Sequence, residues 1–471
     1  MHLHSEDEPF LNSQALIWSG GQMTNREYFN QINALTIRLR KMGLKKGDRV
    51  AIVSEIHFHF PLFLFAILKA GGIVVSISPK SPQSEIDQLI NSVNCVWTIT
   101  INCSIKPADQ DLKNYYLSDE IYSQIKINKS AHTYPDPSYN NDATIIFTSG
   151  SQGKAKGVLH TISNHVYSAM GSNANIILMP GDRWLVRLPF YHIAAIAILF
   201  RCALTGACCV LPEKNLSDME AIKKYKITHM SMVPVQLQRL IVSNQPFEKP
   251  VTLKSILLGG DKIPQSLLDK AKALNLPVYC SYGSTEMCSQ ITTTSSEQMP
   301  DNAPGAGKVL PYRELKIEPG GHILVRGRTL CRGYIKGNKV QKITDDNGWF
   351  HTGDLGYFDK NNNLIIQGRA DNRFISGGEN IYPEEIESAL LNEDNVIDAC
   401  VVEIPDKEFG AKPVAFIKLA GEGEINHNQL YTNLQKRLPR FKIPVKFLPL
   451  PEKSGGIKYS RSELRQIALE S

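Results

Sequence analysis

The chain has 471 residues, of which 42% are hydrophobic and 21% are charged, and its formal net charge is +6. This length and composition allow a large buried core and predict roughly two to four domains, which excludes wholesale disorder. Because the basic residues are spread along the chain and form no arginine–lysine block, we expect no nucleic-acid partner.

The cysteines, the first residues and the most apolar segment are used to predict the cellular location. The nine cysteines include no CxxC pair and are odd in number, which favours buried free thiols in a reducing cytoplasm over disulfides or a metal site. Residues 1–9 are mostly polar and acidic, which argues against a signal peptide. The most apolar run, residues 193–200, is shorter than the roughly 20 residues of a membrane span. We therefore predict a cytoplasmic protein without a membrane span.

Strand-like and helix-like segments alternate along the first two-thirds of the chain. Thr24 and Glu27 form a capping-box pattern, which predicts a helix that ends at Gly43, and a second helix is predicted over residues 60–69. Apolar runs predict buried strands at residues 50–53, 73–77, 144–147, 184–188, 207–211, 229–233 and 255–258. This alternation predicts an α/β fold, with mostly parallel sheets that carry helices on their faces.

The pattern changes at about residue 315, where short strands separated by Gly, Asn and Asp turns predict a small β-rich subdomain over about 315–370. A compact α+β unit is predicted to follow. Its expected helices are residues 383–391, 429–438 and 460–469, and its expected strands are residues 399–403, 414–419 and 445–448. We therefore divide the chain into an N-terminal body, residues 1–370, and a small C-terminal domain, residues 371–471.

A segment rich in hydroxyls, glycines and lysines follows the predicted strand 144–147. Glycines let backbone N–H groups approach an anion, hydroxyls donate hydrogen bonds and lysines neutralise charge, so the segment suits phosphate, although a flexible polar turn is the alternative. It is not a Walker A loop, because residues 155–157 read Ala-Lys-Gly where that motif needs Gly-Lys-Ser/Thr. The predicted phosphate ligands are Thr148, Ser149, Gly150, Ser151, Gly153, Lys154 and Lys156.

This loop resembles that of the adenylate-forming superfamily, which includes acyl-CoA synthetases, adenylation domains of peptide synthetases and luciferases. Four further stretches resemble that superfamily's motifs in order and spacing: residues 282–286, 349–354, 368–371 and 455–458. One match would be weak, but five in order are specific. The resemblance implies an enzyme that uses ATP and Mg²⁺ to activate a carboxylic acid as an acyl-adenylate and passes the acyl group to coenzyme A.

The motifs also assign residues to the nucleotide. Tyr282 offers a flat face for adenine, and Gly283 belongs to the same motif. Thr285 can donate a hydrogen bond to a phosphate oxygen, and the Glu286 carboxylate is a hard oxygen ligand suited to Mg²⁺. Asp354 suits the ribose hydroxyls.

Basic residues complete this assignment. Arg369 adds a contact to the nucleotide. Lys458 is expected to place its charge over the α-phosphate and the carboxylate as they converge. Thr285, Glu286 and Lys458 are therefore our candidate catalytic residues. In the superfamily, the position of Asp371 is a hinge about which the small domain turns between the two half-reactions. Gly377 and Gly378 would then approach the pantetheine thiol, although a simple glycine-rich turn is the alternative.

The identity of the acid rests on fewer residues. His192, Arg201 and Gly259 are our candidates for binding it, and the position of His192 borders the acyl pocket in the superfamily. Arg201 lies in an otherwise apolar predicted helix, so its charge needs a partner, either a protein carboxylate or a second carboxylate on the substrate. His192 is equally well explained as a hydrogen-bonded structural residue.

Three stretches, residues 374–380, 405–410 and 453–461, resemble the o-succinylbenzoate–CoA ligases of menaquinone synthesis, and the spacing from His192 to Arg201 fits that family. The resemblance covers essentially the whole chain. It implies that Arg201 clamps the ring carboxylate of o-succinylbenzoate while the succinyl carboxylate is adenylated. Gln152 and Ala155 depart from the usual Thr and Pro of the phosphate loop. We expect these departures to adjust the activity without abolishing it.

The sequence thus predicts an ATP-dependent ligase that makes o-succinylbenzoyl-CoA and releases AMP and pyrophosphate. The alternatives are a ligase for another aryl or medium-chain acid, a module that feeds a separate carrier protein, and a non-catalytic adenylate-binding protein on the same fold. The last is disfavoured by Lys458, Glu286, Tyr282 and Asp354, because a sensor does not need the transition-state lysine. A homodimer is left open.

Overall fold

The computed structural model describes residues 8–103, 113–117, 138–148, 155–243, 247–295, 305–393, 395–421, 424–451 and 459–471. The predicted α/β class is confirmed: two large sheets and their helices form the body, a four-stranded sheet adjoins them, and a smaller α+β unit follows.

The first large sheet has nine strands within the described residues. Six neighbouring strands in its middle pair in parallel, and antiparallel strands flank them on both sides. In spatial order the strands are Lys308–Val309, Ser289–Thr293, Val278–Ser284, Ser255–Leu258, His229–Met232, Arg183–Leu185, Cys208–Leu211, Gln14–Trp18 and Gly21–Thr24.

The second large sheet has eight described strands, again with a parallel part and antiparallel neighbours. In spatial order they are Lys339–Gln341, Gly333–Lys336, Lys156–Thr161, Asp142–Thr148, Ile73–Ile77, Arg49–Ser54, Trp97–Ile101 and Lys113–Leu117. The hairpin of residues 333–341 lies inside the predicted β-rich segment, but it pairs with Lys156–Thr161 and so extends this sheet.

Helices fill the space between the two sheets and cover their outer faces. Along Arg49–Ser54, Val50 and Ile52 face the core between the sheets while Ala51 and Val53 face the outer layer, so the whole strand reads as apolar. In the described part of the body, the helices are Glu8–Asn12, Asn25–Lys41, His59–Ala70, Gln83–Ser92, Ile162–Asn173, Ile193–Thr205, Asp218–Tyr225, Pro234–Val242 and Gln265–Ala273. The predicted capping box is confirmed, since Thr24 and Glu27 bond reciprocally at the start of Asn25–Lys41.

The apolar segment 193–200 begins a helix of the central layer, between the two sheets. No helix in the described part of the chain has the length and apolar character needed to cross a bilayer. All nine cysteines lie in described residues and are free thiols.

The remaining strands and helices belong to the last third of the chain. The antiparallel four-stranded sheet is formed by Arg313–Ile317, His322–Gly327, Phe350–Phe358 and Leu364–Arg369. The 3₁₀ helix Ala370–Asn372 follows, and then the hairpin strands Phe374–Ser376 and Glu379–Ile381. The C-terminal unit contains the strands Val396–Asp406, Gly410–Leu419 and Lys446–Pro449, the 3₁₀ helix Arg440–Lys442, and the helices Pro383–Leu391, His427–Gln435 and Arg461–Glu470.

Two C-terminal helices differ from their predictions at both ends. The predicted helix 460–469 is observed as Arg461–Glu470, and the helix before it differs by more. The predicted helix 429–438 is observed as His427–Gln435. It begins earlier because the Asn426 side chain accepts a hydrogen bond from the Gln429 amide and so caps the helix. It ends earlier because Pro439 disfavours helical backbone at the residue before it.

Candidate active site

The predicted nucleotide motif of residues 282–286 lies where Val278–Ser284 turns back to pair with Ser289–Thr293. A Cβ atom on Gly283 would lie 2.0 Å from the carbonyl oxygen of Ser289, so this close approach requires glycine. The Tyr282 ring packs beside the core of the four-stranded sheet, and its hydroxyl donates a 2.6 Å hydrogen bond to Asp354. Burial, reinforced by the Asp354 charge, raises the pKa of the Tyr282 hydroxyl well above its usual value, so this group stays a donor.

Asp354 and Arg369 form an ion pair beside Tyr282. They occupy partner positions on the neighbouring strands Phe350–Phe358 and Leu364–Arg369, and Arg369 Nη1 lies 3.0 Å from Asp354 Oδ1. The same nitrogen donates to the Thr352 carbonyl at 2.8 Å. The structure thus brings three predicted nucleotide residues together and orients them through one another.

Glu286 and Lys156 both lie beside Tyr334, a residue that the motifs do not include. The Tyr334 hydroxyl donates a 2.8 Å hydrogen bond to Glu286 Oε1, and the Lys156 ammonium lies 5.1 Å from the centre of the Tyr334 ring. Tyr334 belongs to the hairpin that extends the second sheet, so that hairpin holds the predicted magnesium ligand beside the end of the phosphate loop.

The surroundings of Glu286 are compatible with a role as a Mg²⁺ ligand. Within the described ranges, no three His, Cys, Asp or Glu side chains are grouped closely enough to hold a metal ion by themselves. Mg²⁺ in nucleotide sites typically takes one or two protein carboxylates together with substrate phosphates and water. Glu286 Oε2 accepts no hydrogen bond from a described residue, so one carboxylate oxygen is available for this purpose.

A buried set of hydrogen bonds, which we call the histidine chain, supports the loop that carries Thr285. It comprises His160, Thr144, His165 and Cys288, all at most 1% exposed, and ends at the Thr285 carbonyl. His160 Nε2 lies 2.7 Å from that carbonyl, and Thr144 Oγ1 lies 3.3 Å from His160 Nδ1 and 2.8 Å from His165 Nε2. His165 Nδ1 lies 3.2 Å from the Cys288 sulfur.

A single proton arrangement satisfies the whole histidine chain. The Thr285 carbonyl can only accept, so His160 Nε2 carries a proton and its Nδ1 accepts from the Thr144 hydroxyl. Thr144 then accepts from His165 Nε2, and His165 Nδ1 accepts from the Cys288 thiol. Both imidazoles are therefore neutral, in accord with burial, which lowers the pKa of His160 to about 4 and that of His165 well below 6.5.

The two strands that flank the predicted phosphate loop lie side by side. Thr148 at the end of one strand pairs with Lys156 at the start of the next, and the histidine chain draws on Thr144 and His160 of the same two strands. The base of the loop is thus tied to the Thr285 turn. The other predicted loop residues, Ser149, Gly150, Ser151, Gly153 and Lys154, and the predicted catalytic Lys458 fall outside the described residues.

Arg201 projects from the helix Ile193–Thr205 and is 1% exposed. Its Nη2 atom donates a 2.6 Å hydrogen bond to Gln290 Oε1, and its guanidinium carbon lies 5.2 Å from the centre of the Trp184 ring. Its Nε is buried and has no hydrogen-bond partner. Burial lowers the pKa of this guanidinium to about 10, so it still carries its charge near neutral pH. The protein salt bridge offered as the alternative is absent among the described residues.

The other predicted acid-binding residues differ in character. His192 occupies the N-cap position of the same helix without a side-chain capping bond, and its buried Nε2 has no hydrogen-bond partner among the described residues. Burial lowers the pKa of His192, so the ring is neutral near pH 7. Gly259 has a structural reason to be glycine, because a Cβ there would lie 2.6 Å from the Ser281 hydroxyl oxygen.

The predicted hinge and pantetheine glycines lie on the surface. The Asp371 side chain is 68% exposed and lies 3.7 Å from Arg369. Gly377 and Gly378 form the exposed tip of a hairpin, with φ angles of 57° and 86°. Contact between the C-terminal unit and the body is made elsewhere: the Ser266 amide donates to the Asn392 side chain at 3.1 Å.

Three residues with a clear place in this site were missed from the sequence: Tyr334, His160 and Gln290. Tyr334 and His160 sit in short strands that pair with each other although they are remote in sequence, so no local pattern marks these residues. Gln290 follows Glu286 by four residues, and its closeness to that motif is the signal that could have found it.

Comparison with known proteins places these features in a family. The model of the AMP-binding enzyme matches residues 5–335, and that of the AMP-binding enzyme C-terminal domain matches residues 385–454. The 2-succinylbenzoate–CoA ligase of Bacillus pumilus is 33% identical over 444 residues, which cover 92% of this chain and 90% of that protein. The corresponding ligase of Bacillus velezensis is 32% identical, with 96% and 95% covered.

Solved structures agree with these matches. The o-succinylbenzoate CoA synthetase of Bacillus subtilis, in complex with the acyl-adenylate intermediate OSB-AMP, is similar with a TM-score of 0.86 and 30% identity, over 96% of this chain and 95% of that chain. The same enzyme in complex with ATP and magnesium ion gives a TM-score of 0.84 at 30% identity over 93% of each chain. The chain therefore belongs to the AMP-binding enzyme family.

Proposed function

We propose that this protein is an AMP-forming acid–thiol ligase that converts o-succinylbenzoate to o-succinylbenzoyl-CoA through an acyl-adenylate, a step of menaquinone biosynthesis. The observation that carries the choice of acid is the buried Arg201 guanidinium, which meets a neutral glutamine and no carboxylate among the described residues. Relatives named for this reaction match over nearly the whole chain and support it.

The acid has two carboxylates, one on its aromatic ring and one on its succinyl arm. An uncompensated buried charge is expensive, and a bidentate carboxylate is the partner that best matches a guanidinium. Arg201 therefore binds the ring carboxylate in our proposal, which leaves the succinyl carboxylate to react. His192, with its neutral imidazole, and Gly259 line the same acid site.

In the first half-reaction, an oxygen of the succinyl carboxylate attacks the α-phosphorus of ATP, and the bond from that phosphorus to the bridging oxygen breaks to release pyrophosphate. Tyr282 stacks on adenine, Asp354 binds the ribose hydroxyls with Arg369 beside it, and Thr285 donates to a phosphate oxygen. Bound at Glu286, Mg²⁺ would neutralise phosphate charge. Lys458 stabilises the charge that gathers on the pentacoordinate phosphorus.

The phosphate loop confines the triphosphate during this step. Thr148 and Lys156 pair at the two ends of the loop. Between them in sequence lie Ser149, Gly150, Ser151, Gly153 and Lys154. Backbone N–H groups, hydroxyls and ammonium groups of this kind bind phosphate oxygens.

In the second half-reaction, the thiol of coenzyme A loses its proton to solvent and its sulfur attacks the acyl carbonyl, and AMP leaves with the electrons of the broken C–O bond. We propose that the C-terminal domain, residues 371–471, turns about Asp371 between the two steps. The exposed Gly377–Gly378 tip supports this, because it meets no described residue of the body and is free to approach the pantetheine thiol after rotation.

A cytoplasmic location is also proposed, and the nine free cysteines support it, because thiols persist unpaired in a reducing compartment. The sequence leaves a homodimer open, and light scattering on the purified protein decides between one copy and two.

The function is tested by pyrophosphate release with o-succinylbenzoate, benzoate, a fatty acid and no acid, each with ATP, Mg²⁺ and coenzyme A. We expect release with o-succinylbenzoate alone. Release with another acid instead would retain the ligase chemistry and refute the substrate. ATP binding without release on any acid would favour the non-catalytic alternative.

A further inference from the structure

Two buried arginines from distant parts of the chain meet at one glutamine. Arg201 Nη2 donates to Gln290 Oε1 at 2.6 Å, and Arg313 Nε donates to the Gln290 backbone carbonyl at 2.6 Å. Gln290 is 3% exposed and belongs to the strand Ser289–Thr293, directly after the nucleotide motif. It therefore joins the nucleotide side of the site to the acid side.

The orientation of the Gln290 amide is determined by both of its ends. Its Nε2 donates a 2.6 Å hydrogen bond to Thr293 Oγ1, whose own proton goes to the Thr292 carbonyl at 2.7 Å. Rotating the amide by 180° would turn an N–H group toward the guanidinium, which has only donors. The carbonyl oxygen of Gln290 is therefore held facing Arg201.

The two arginines differ in how many of their N–H groups form hydrogen bonds with the protein. Arg313 donates to the carbonyls of Gln290, Pro311 and Ser168 and also reaches the Ser168 hydroxyl. Among the described residues, the Arg201 guanidinium makes a single hydrogen bond, to Gln290, and its Nε has no partner. Arg313 is thus structurally satisfied, whereas Arg201 retains donors and charge for a ligand.

We propose that Gln290 is a positioning residue that sets acid specificity, because its neutral amide orients Arg201 without neutralising it. A glutamate would fit the same space and would supply the carboxylate that the guanidinium lacks. Arg201 would then be satisfied inside the protein and would no longer favour an acid with a second carboxylate. This inference rests on the proposed role of Arg201 in binding the ring carboxylate.

The test compares two acids on the wild type and on Gln290→Glu. One is o-succinylbenzoate, and the other is 4-oxo-4-phenylbutanoate, which keeps the succinyl arm and lacks the ring carboxylate. We expect the ratio of their kcat/KM values to fall about tenfold or more in Gln290→Glu, as when a charge-assisted interaction is lost. The melting temperature should stay the same or rise. Exposed Gln22→Glu is the matched control and should keep the wild-type ratio.

An unchanged ratio in a folded Gln290→Glu protein would overturn the inference, and so would a marked fall in melting temperature with equal losses on both acids. Should Gln290→Glu not fold, Gln290→Met decides: a fallen ratio supports positioning by the amide, and an unchanged ratio refutes it. Arg201→Met separates the two proposals. If it abolishes the preference while Gln290→Glu retains it, the inference alone fails. If the wild type shows no preference, the proposed substrate fails.

Discussion

The nucleotide side and the acid side of the site differ in how their charged groups are paired within the protein. On the nucleotide side, Asp354 meets Arg369 and Tyr282, and Glu286 meets Tyr334. On the acid side, the deeply buried Arg201 guanidinium donates to the neutral Gln290, packs beside Trp184 and meets no carboxylate among the described residues. Protein groups hold the first set in place, whereas Arg201 has no carboxylate partner among the described residues, and in our proposal the substrate supplies one.

This difference corresponds to two tasks: activating ATP, which is common to every acid, and selecting one acid among several. Binding ATP and activating its α-phosphate is the same task for every acid, so internal hydrogen bonds can hold those groups in advance. Choosing one acid needs a group whose partner is absent until that acid arrives, because an unpaired buried charge penalises every ligand that cannot satisfy it. Three predictions test the nucleotide side of this contrast.

The largest effect is expected from Lys458→Ala, because the lysine is proposed to act in the transition state on whichever acid is bound. Pyrophosphate release should fall about 100- to 1,000-fold, the range for losing one transition-state donor. The KM for the acid should change little. Lys453→Ala, nearby in the sequence, is the control, and an equal loss in both variants would assign the effect to the general positive charge of this segment.

The histidine chain should make stability depend on pH. The pKa of His160 is about 4 in the folded protein against 6.5 for an exposed imidazole. The unfolded chain therefore binds more protons between these values, so this contribution to stability is complete above pH 6.5 and is lost as pH falls toward 4. From pH 7 to 5 we expect His160 to account for about 2 kcal/mol of lost unfolding free energy.

Urea unfolding at both pH values measures this loss. The matched variant is His160→Gln, whose amide can still donate to the Thr285 carbonyl but does not titrate near neutral pH. Its stability should vary less with pH by about the same 2 kcal/mol. An identical pH dependence in wild type and variant would show that His160 is not held neutral by burial.

The smallest effect is expected from Tyr334→Phe, which removes the hydroxyl bound to Glu286 and leaves the ring beneath Lys156. The Mg²⁺ concentration for half-maximal pyrophosphate release should rise about tenfold, as when a group that orients a metal ligand is lost. The selectivity among acids should not change. The exposed Tyr357→Phe serves as control. An unaltered Mg²⁺ requirement would argue against Glu286 as the metal ligand.

Much of the fold was predictable because its signals are local. The strands at 73–77 and 255–258 and the helix at 383–391 were predicted with the bounds observed. Their limits follow from apolar runs, glycines and a proline at the first helical turn. The strands Gln14–Trp18 and Gly21–Thr24 were not predicted, because they depend on pairing with a partner almost 200 residues away and with each other.

The sequence by itself determined the α/β class and the nucleotide motifs, and it pointed to Arg201. It could do so because these signals lie within a few residues of one another or stand out chemically from their surroundings. Only the tertiary structure decided that Arg201 lacks a protein carboxylate among the described residues and that its guanidinium donates to the neutral Gln290. It likewise decided that Tyr334 holds Glu286 and that two histidines support the Thr285 loop. Whether a buried charge is satisfied depends on which distant segments the sheets bring together, and no local pattern records that.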